Sequence, residues 1–471
     1  MGVATCASSA AIAQADERPA GIADIVVTAQ KREQALNDVG LTISAASSDT
    51  LAQRGVTDTA DLAKIVPGFT ATASPYATPV YTLRGIGLYD YSFGSSPSVA
   101  VYVDEISRPY PVTQMGVALD LERVEVLKGP QGTLFGQSST GGAINYIAAK
   151  PTDTFKAGAD LSYERFGKMD ASGFVSGPIS DTLKARLAVR AVEGGAWQYS
   201  ISRPNDKNGD TRQLMGRLLL DWEPSDTARF ELNLNGMRDR SDTQQAQFVS
   251  NQLNLAPDAN SGNPYAKVDP AAFAALSNPA SPNFDGSFAS RRATVLGRLS
   301  GLGFAPGAAI YDTDSTINGT LGYLAGPNGD GSAVSEDIRK AEWSSNWPTS
   351  SRDGYWQAAL RADFDVSDDV TVTSLSSYQK SNIDEYFDND ATTAKALDER
   401  VYGFVENFSQ ELRVSGRNGN LNWIVGGNYD HSKIEDNVYF EIRDLSLNEV
   451  FPGGRFNELN SNIKQKVTSK A

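Results

Sequence analysis

The sequence predicts a membrane β-barrel of antiparallel strands behind a compact N-terminal α/β domain. Three features carry this. Stretches of about ten residues after position 151 alternate apolar and polar side chains, as strands do when one face meets lipid and the other a wet lumen. Their connections are lopsided, with short turns on one side and long polar loops on the other. The part before position 151 differs in texture, with short strands, frequent glycine and helical pieces.

The alternation is explicit. In KARLAVRAVE, Ala185, Leu187, Val189 and Ala191 share one face, and Lys184, Arg186 and Arg190 the other. Phe230, Leu232 and Leu234 oppose Glu231, Asn233 and Asn235; Trp356, Ala358, Leu360, Ala362 and Phe364 oppose Gln357, Arg361 and Asp363. Phe408, Leu412 and Val414 oppose Ser409, Glu411 and Arg413. A soluble sandwich accepts such strands too, but its strands are usually shorter and its connections more uniform. Here SGPISDTL, WEPSDTAR, DVSDDVTV and SGRNGNLN read as tight turns, while the alternate connections are long, the largest from about Asp239 to Arg352.

Composition removes other classes. The 42 Lys+Arg against 57 Asp+Glu give a formal net charge of -15, which repels a nucleic-acid backbone, so no nucleic-acid partner is expected. With one cysteine, Cys6, and one histidine, His431, the chain assembles neither an internal disulfide nor a Cys/His zinc cluster. No metal site and no cofactor are expected. Paired carboxylates such as Asp368-Asp369 and Asp384-Glu385 read as solvated loop charge, and no base, nucleophile and orienting group come together, so no enzyme is expected. No run of 18 or more apolar residues occurs, which excludes a transmembrane helix and leaves strands as the way across a bilayer.

Residues 1–15 end in Ala13-Gln14-Ala15 and read as the remnant of an export signal, with Cys6 discarded alongside it. Residues 16–32 follow as a periplasmic segment, 33–150 as the α/β domain and 151–471 as the alternating strands. The α/β domain contains DTLAQRGVTDTADLAKIVPG, helical pieces ended by Pro67-Gly68, and the glycine-rich LKGPQGTLFGQSSTGGAINYIAAKP. Gly136 and Gly141 are spaced as in a phosphate-cradling loop, but Gly142 and Ala143 stand where that loop needs lysine and a hydroxyl. RGIGLYD likewise has Asp90 where a dinucleotide fingerprint needs its third glycine. Gly129, Gly132, Gly136, Gly141 and Gly142 are instead expected to allow tight turns and close backbone approach. Asp104, in VYVDEI, reads as a turn residue.

The runs YTLRGIG, SVAVYVDEI and LERVEVLKGPQGTLFGQSSTGGAINYIAAKP resemble the plug domain of the TonB-dependent outer-membrane receptors over roughly Ile25 to Pro151. FSQELRVSG with LNWIVGGNY resembles a barrel hairpin of the iron-complex, or siderophore, branch. The resemblance implies a plug inside a barrel of about 22 strands, of which roughly ten are expected here. It also implies a bacterial outer-membrane protein that imports a scarce ligand, most often a ferric siderophore. Its partners would be the TonB energy-transducing complex of the inner membrane, outer-membrane lipids and a small-molecule ligand.

Ile25, Val26, Val27, Thr28 and Ala29 resemble the TonB box, and an extended β-branched run of this kind can add to a partner's sheet as an edge strand. The plug motif falls on Arg84, Gly85, Glu122, Arg123, Glu125, Lys128, Gly129, Pro130, Gly132, Gly136, Gly141, Gly142 and Asn145. Its charged members are expected to pair within the plug or with the barrel wall, where an unpaired charge is costly. A signalling receptor and a truncated, non-functional relic are the alternatives; with only Asp16 to Asp24 before the box, signalling is disfavoured.

With roughly ten strands, the last of them IKQKVTSKA, the sequence reads as an N-terminal fragment whose open sheet would turn unpaired backbone toward lipid. Expressed alone, the chain is expected not to insert as a stable barrel. Heat-modifiable migration and protease resistance in outer membranes would contradict this.

Overall fold

The computed structural model describes residues 26–247, 337–441 and 458–470, apart from 29–30, 33, 74–78, 91, 137, 202, 338, 345–346, 390, 392–397 and 420. The expected signal remnant and most of the loop between Asp239 and Arg352 lie outside the described residues.

The N-terminal domain begins with a two-stranded ribbon, β1 (Val26–Val27) against β2 (Gln34–Ala35). Then come β3 (Ile43–Ser47), α1 (Ser48–Gln53), the hairpin β4 (Phe69–Ala73) and β5 (Pro79–Leu83), and a second hairpin, β6 (Val99–Val103) and β7 (Ile106–Arg108). The domain ends with β8 (Leu121–Lys128), the short α2 (Gly132–Phe135) and β9 (Gly142–Ala148). Its main sheet has the order β3-β8-β9-β6-β7, in which β6 and β9 run parallel. Local signals set the boundaries: the Ser47 side chain accepts from the Thr50 backbone N–H and caps α1. Leu62, Leu83, Val99, Val103 and Ile144 close the core beneath the sheet.

The rest is a run of strands, ten of them in one curved antiparallel meander. It comprises β10 (Lys156–Tyr163), β11 (Met169–Pro178), β12 (Leu183–Gly194), β13 (Gln198–Ser200), β14 (Lys207–Asn208), β15 (Thr211–Ser225) and β16 (Ala228–Asp239). It continues through β17 (Lys340–Ala341), β18 (Asp353–Ser367), β19 (Val370–Asp388), β20 (Asp398–Asn418), β21 (Leu421–Glu441) and β22 (Glu458–Lys470). Ten of these form the wall, in the order β10-β11-β12-β15-β16-β18-β19-β20-β21-β22. The four tight turns after Pro178, Ser225, Ser367 and Asn418 fall at one end of the wall, where the sequence put them. At the opposite end β13, β14 and β17 make a small sheet, and the parallel pairing of β13 with β17 ties two of the long connections together.

The wall is inside out relative to a soluble sheet. Leu187, Val189, Leu234, Leu360 and Leu412 are exposed on the outer face, while Arg186, Arg217, Glu231, Asn233, Gln357 and Gln379 are buried on the inner one. Outer aromatics gather at two levels. Trp356 packs on Tyr378 with ring centroids 5.3 Å apart, level with Phe408 and Tyr429; toward the tight turns, Trp222, Phe230 and Phe364 pack at 5.2 and 5.5 Å. Trp356 and Phe364 lie eight residues apart on β18. At about 3.4 Å per residue and a tilt of about 40°, that is roughly 20 Å, close to the apolar band of a membrane barrel between its aromatic girdles.

Leu360 sits midway between the two girdles. In a receptor whose wall is closed into a full barrel, Leu360→Lys is expected to destabilise the wall by about 2–4 kcal/mol in urea unfolding from lipid vesicles. An unchanged midpoint would mean that this face does not meet lipid.

Candidate functional site

The N-terminal domain meets the wall through the hairpin of β6 and β7. Val103 pairs with Ile106, so Asp104 and Glu105 alone make the turn, with φ of 50° and 67°. Positive φ at both central residues is what a type I′ turn demands, and it normally selects asparagine, aspartate or glycine. Glutamate there is strained by about 1–3 kcal/mol unless its surroundings hold it.

The wall holds it. The Glu105 carboxylate accepts from Arg361 Nη1 at 2.9 Å and pairs with Arg413, and Lys31 Nζ stands 4.0 Å away on its way to Glu411 at 2.8 Å. Burial pushes the Glu105 carboxyl up, but the guanidiniums of Arg413 and Arg361 outweigh it and hold the group at about 2. Asp104 accepts from the Ala148 backbone N–H at 3.1 Å, from Asn233 at 3.0 Å and from Lys150 at 3.3 Å. Lys150 also reaches Glu231 at 2.8 Å.

From this turn residues 104–112 climb the inner wall, and the chemistry changes in register with them. Strand pairing sets Asp221, Glu231 and Arg361 side by side in a charged row near the tight turns, opposite Asp104 and Glu105. A further row runs Arg217, Asn235, Gln357, Gln379, Asn407, Ser432. Arg108 Nη2 donates to Asn235 and Gln357 at 3.1 Å each, and Gln379 Nε2 donates to the Ser107 carbonyl at 2.9 Å. Above that row Phe93, Tyr110 and Val112 pack against Ile383, Val401 and Ile434 of the wall.

The sequence-marked residues are placed as follows. Of the box-like segment, Val26, Val27 and Thr28 are described, and Ile25 and Ala29 lie outside the described residues. Val27 is fully buried, and Val26 and Val27 pair with Ala35 and Gln34. The Thr28 backbone N–H donates to Glu125 Oε1 at 2.9 Å and its hydroxyl donates to the same carboxylate at 3.2 Å. Glu125 is fully buried and accepts from Arg123 Nε at 2.8 Å, and Arg123 also pairs with Glu122. Burial pushes the Glu125 carboxyl up against the lowering effect of Thr28 and Arg123. Asn145, also fully buried, donates to Thr28 Oγ1 at 3.5 Å and accepts from the Glu105 N–H at 3.4 Å, so it links the two ends of the contact.

Arg84 and Lys128 make no ion pair among the described residues. Arg84 is exposed at a φ of 53°, with its N–H on the Gly68 carbonyl, and the Lys128 N–H goes to the Thr42 carbonyl. The pairing expected of the charged motif therefore extends to Glu122, Arg123 and Glu125 and stops there. Gly85, Gly129, Gly136 and Gly142 all take positive φ. At Gly142 a Cβ would come within 2.2 Å of the Leu127 carbonyl oxygen, so only glycine fits between β8 and β9. Gly141 faces Ile86 closely, and Pro130 is exposed after β8. Gly132 departs from expectation: it opens α2 with free space around it and needs neither a turn nor a close approach.

The family model of the TonB-dependent receptor plug domain matches residues 35–143, the stretch that contains β3 to β8 and the hairpin seated on the wall. The pesticin receptor of Yersinia pestis is 30% identical over 222 residues, 46% of this chain and 32% of that receptor. Residues 35–143 form a plug domain of the TonB-dependent receptor type. Among solved structures, the ferric yersiniabactin uptake receptor of Yersinia pestis matches at a TM-score of 0.56 and 16% identity, covering 91% of this chain and 61% of that one. The ferripyoverdine receptor of the Pseudomonas aeruginosa outer membrane matches at 0.58 and 12%, covering 95% and 51%. At such identities the structural likeness is one of fold. The chain spans about a third of the length of the pesticin receptor, and its ten-stranded wall is a partial barrel around the plug.

Sequence reasoning missed Glu105, Arg108, Lys31 and Lys150 as anchors. A glutamate directly after Asp104, where a two-residue turn prefers glycine, was the available signal.

Glu105 has its folded value depressed to about 2, so its pairing stabilises the plug–wall contact above its unfolded value near 4.5 and is lost as pH falls from there toward 2. Pepsin cleavage of the plug, scaled at each pH to cleavage of an unstructured peptide, is expected to accelerate across that window. Glu105→Gln leaves Arg361 with Asp363 alone and Arg413 with Glu411 alone, is expected to cost about 1.5–3 kcal/mol at neutral pH, and should flatten the pH response; an unaltered pH profile would rule Glu105 out as its source.

Proposed function

We propose that this chain serves TonB-dependent import of a ligand across the bacterial outer membrane, with ferric siderophores as the cargo class. The observation that supports it best is the state of the box-like segment. Val26 to Thr28 is extended, one of its edges is used by β2, and the Thr28 N–H is taken by Glu125. An energised partner that adds this segment to its own sheet has to replace those bonds. Tension on the segment then reaches the plug at Glu125 and Asn145, and through Asn145 the turn that carries Glu105. The wall contacts of residues 104–112 resist it. No covalent step is needed; the work is the exchange of hydrogen bonds and ion pairs at the plug surface.

The cargo class rests on the relatives by sequence, which include a ferripyoverdine receptor of Pseudomonas aeruginosa, 31% identical over 170 residues, and a catecholate siderophore receptor of Escherichia coli, 31% identical over 156 residues. Outer-membrane lipid on the apolar face and the TonB complex at the box are the proposed partners. The glycine and charged positions of the plug motif are proposed to keep the plug compact enough to seat.

Radiolabelled iron uptake across a panel of ferric siderophores tests the reading. Cells with the locus deleted are expected to lose import of at least one, with recovery on complementation. Val27→Pro, which removes the donor and the strand geometry that edge addition uses, is expected to abolish import while leaving surface binding intact. Import by the proline variant at the wild-type rate would sink the proposal.

A further inference from the structure

At the long-loop end of the wall, two buried carboxyl groups meet with no cation between them. Asp353 opens β18, and Glu385 lies on β19 five residues beyond Lys380, the partner of the girdle residue Trp356, so both stand clear of the apolar band. Each is 4% exposed, although Asp384-Glu385 reads from the sequence as solvated loop charge. Glu385 faces Ser351 across an isolated bridge, and the two-residue spacing puts Ser351 and Asp353 on the same inner face. The Asp353 and Glu385 carboxyl groups hydrogen-bond one another.

The donors decide where the proton sits. Asp353 Oδ2 accepts from the Ser351 hydroxyl at 2.7 Å and Oδ1 from the Asp384 N–H at 3.0 Å. The Glu385 side chain accepts from no N–H or hydroxyl among the described residues and forms no ion pair there. A buried carboxyl group without donors is stable only when protonated, so Glu385 keeps the proton and donates it to Asp353. Neighbouring charges leave the pair alone. Asp239, opposite Asp353 on β16, accepts from Gln213 at 2.7 Å and from the Ser241 N–H at 2.8 Å. Arg240 Nη1 goes to the Asp353 carbonyl at 3.0 Å, Arg352 is exposed, and Arg400 pairs with Asp384 at 2.7 Å. Val401 stands opposite Glu385 on β20, and the plug brings apolar Phe93 and Val112 to the adjacent Ile383. Asp388, Asp398 and Glu399, buried farther along, have the same sign as the pair. Burial, and behind it the like charge of Asp353, pushes the Glu385 carboxyl well above its ordinary value, and burial pushes Asp353 up as well.

This pair lies beneath the two feet of the longest connection. The Ser351 N–H donates to the Ser241 carbonyl at 2.7 Å and the Thr243 N–H to the Thr349 carbonyl at 3.0 Å. The Arg352 N–H then reaches the Asp384 carbonyl at 2.8 Å, and the Tyr386 N–H the Ser350 carbonyl at 3.2 Å. Residues 241–243 and 349–352 are thus laddered onto the end of β19, with Glu385 at the centre of the ladder.

We propose that Asp353 and Glu385 share one proton and that this proton keeps residues 241–243 and 349–352 docked on β19, so that the docking loosens as pH rises. Loss of the proton to bulk water sets two charges face to face without a cation, and the ladder opens to hydrate them. The switch acts on the end of the wall and is independent of the cargo.

The docked ladder retains a proton that the opened one gives up above the ordinary value near 4.5. Docking is therefore fully supported below that value and is lost as pH rises through the folded one. Hydrogen exchange of the Arg352 and Tyr386 amides, scaled at each pH to an unstructured peptide, reads this in receptor purified from outer membranes. The scaled rate is expected to rise about tenfold per pH unit across that window and then level off. Glu385→Gln keeps a donor to Asp353 and has no proton to lose, so its scaled rate is expected to stay flat. Infrared spectra at about pH 6, where ordinary carboxyl groups are ionised, are expected to show a protonated-carboxyl stretch that Glu385→Gln removes. Flat exchange in the wild type, an equal slope in the variant, or spectra indifferent to the substitution would overturn the proposal.

Discussion

A sheet whose oily face looks outward leaves its inner polar side chains to be satisfied from within, and the plug answers that demand. An inward charge or amide without a partner costs several kcal/mol in a low-dielectric interior. Glu105 meets Arg361 and Arg413, Asp104 meets Asn233, and Arg108 meets Asn235 and Gln357. The same contacts act on the plug. The left-handed backbone at Glu105 is unfavourable in isolation, and the guanidiniums that bind its carboxylate offset the strain. Wall and plug each correct a defect in the other, so neither surface is stable as seen alone.

The wall was legible in the sequence because its period is local. Alternation over eight residues around Leu360, and turn residues around Asp181, Asp226, Asp369 and Gly419, report on neighbours a few positions apart. The fold of the plug was legible for a different reason, a long run of charged, glycine and apolar positions in the order of a known family, and the glycine cradle reading failed on two residues, Gly142 and Ala143. The site was less legible. Glu105 and Arg413 are 308 positions apart, as Lys31 and Glu411 are 380 apart, and one sequence contains no term that couples them. Arg84 shows the opposite error: its place in a charged motif suggested a partner, while the structure uses its backbone to close a turn on Gly68.

Charge and amide divide the inner wall into unlike zones, and Arg108 stands where the two kinds of contact meet on the plug. Its guanidinium bonds neutral amides because strand pairing fixes Asn235 and Gln357 opposite one another at that height. Only a planar group with several donors can use both oxygens and still lie flat on Tyr355. A lysine would reach the same place as a point charge and lose the stacking.

The amide row also has a mechanical consequence. Asn235, Gln357, Gln379 and Asn407 are all side-chain amides, a group able both to donate and to accept, so a plug group that slides sideways by one strand spacing, about 4.8 Å, meets another amide able to make the same bond. The ionic rim near the tight turns offers no such substitution, since a displaced Glu105 leaves two guanidiniums behind. Friction along the wall is therefore uneven, gripping at the ionic rim and slippery at mid-height, where movement changes partners without changing the number of bonds.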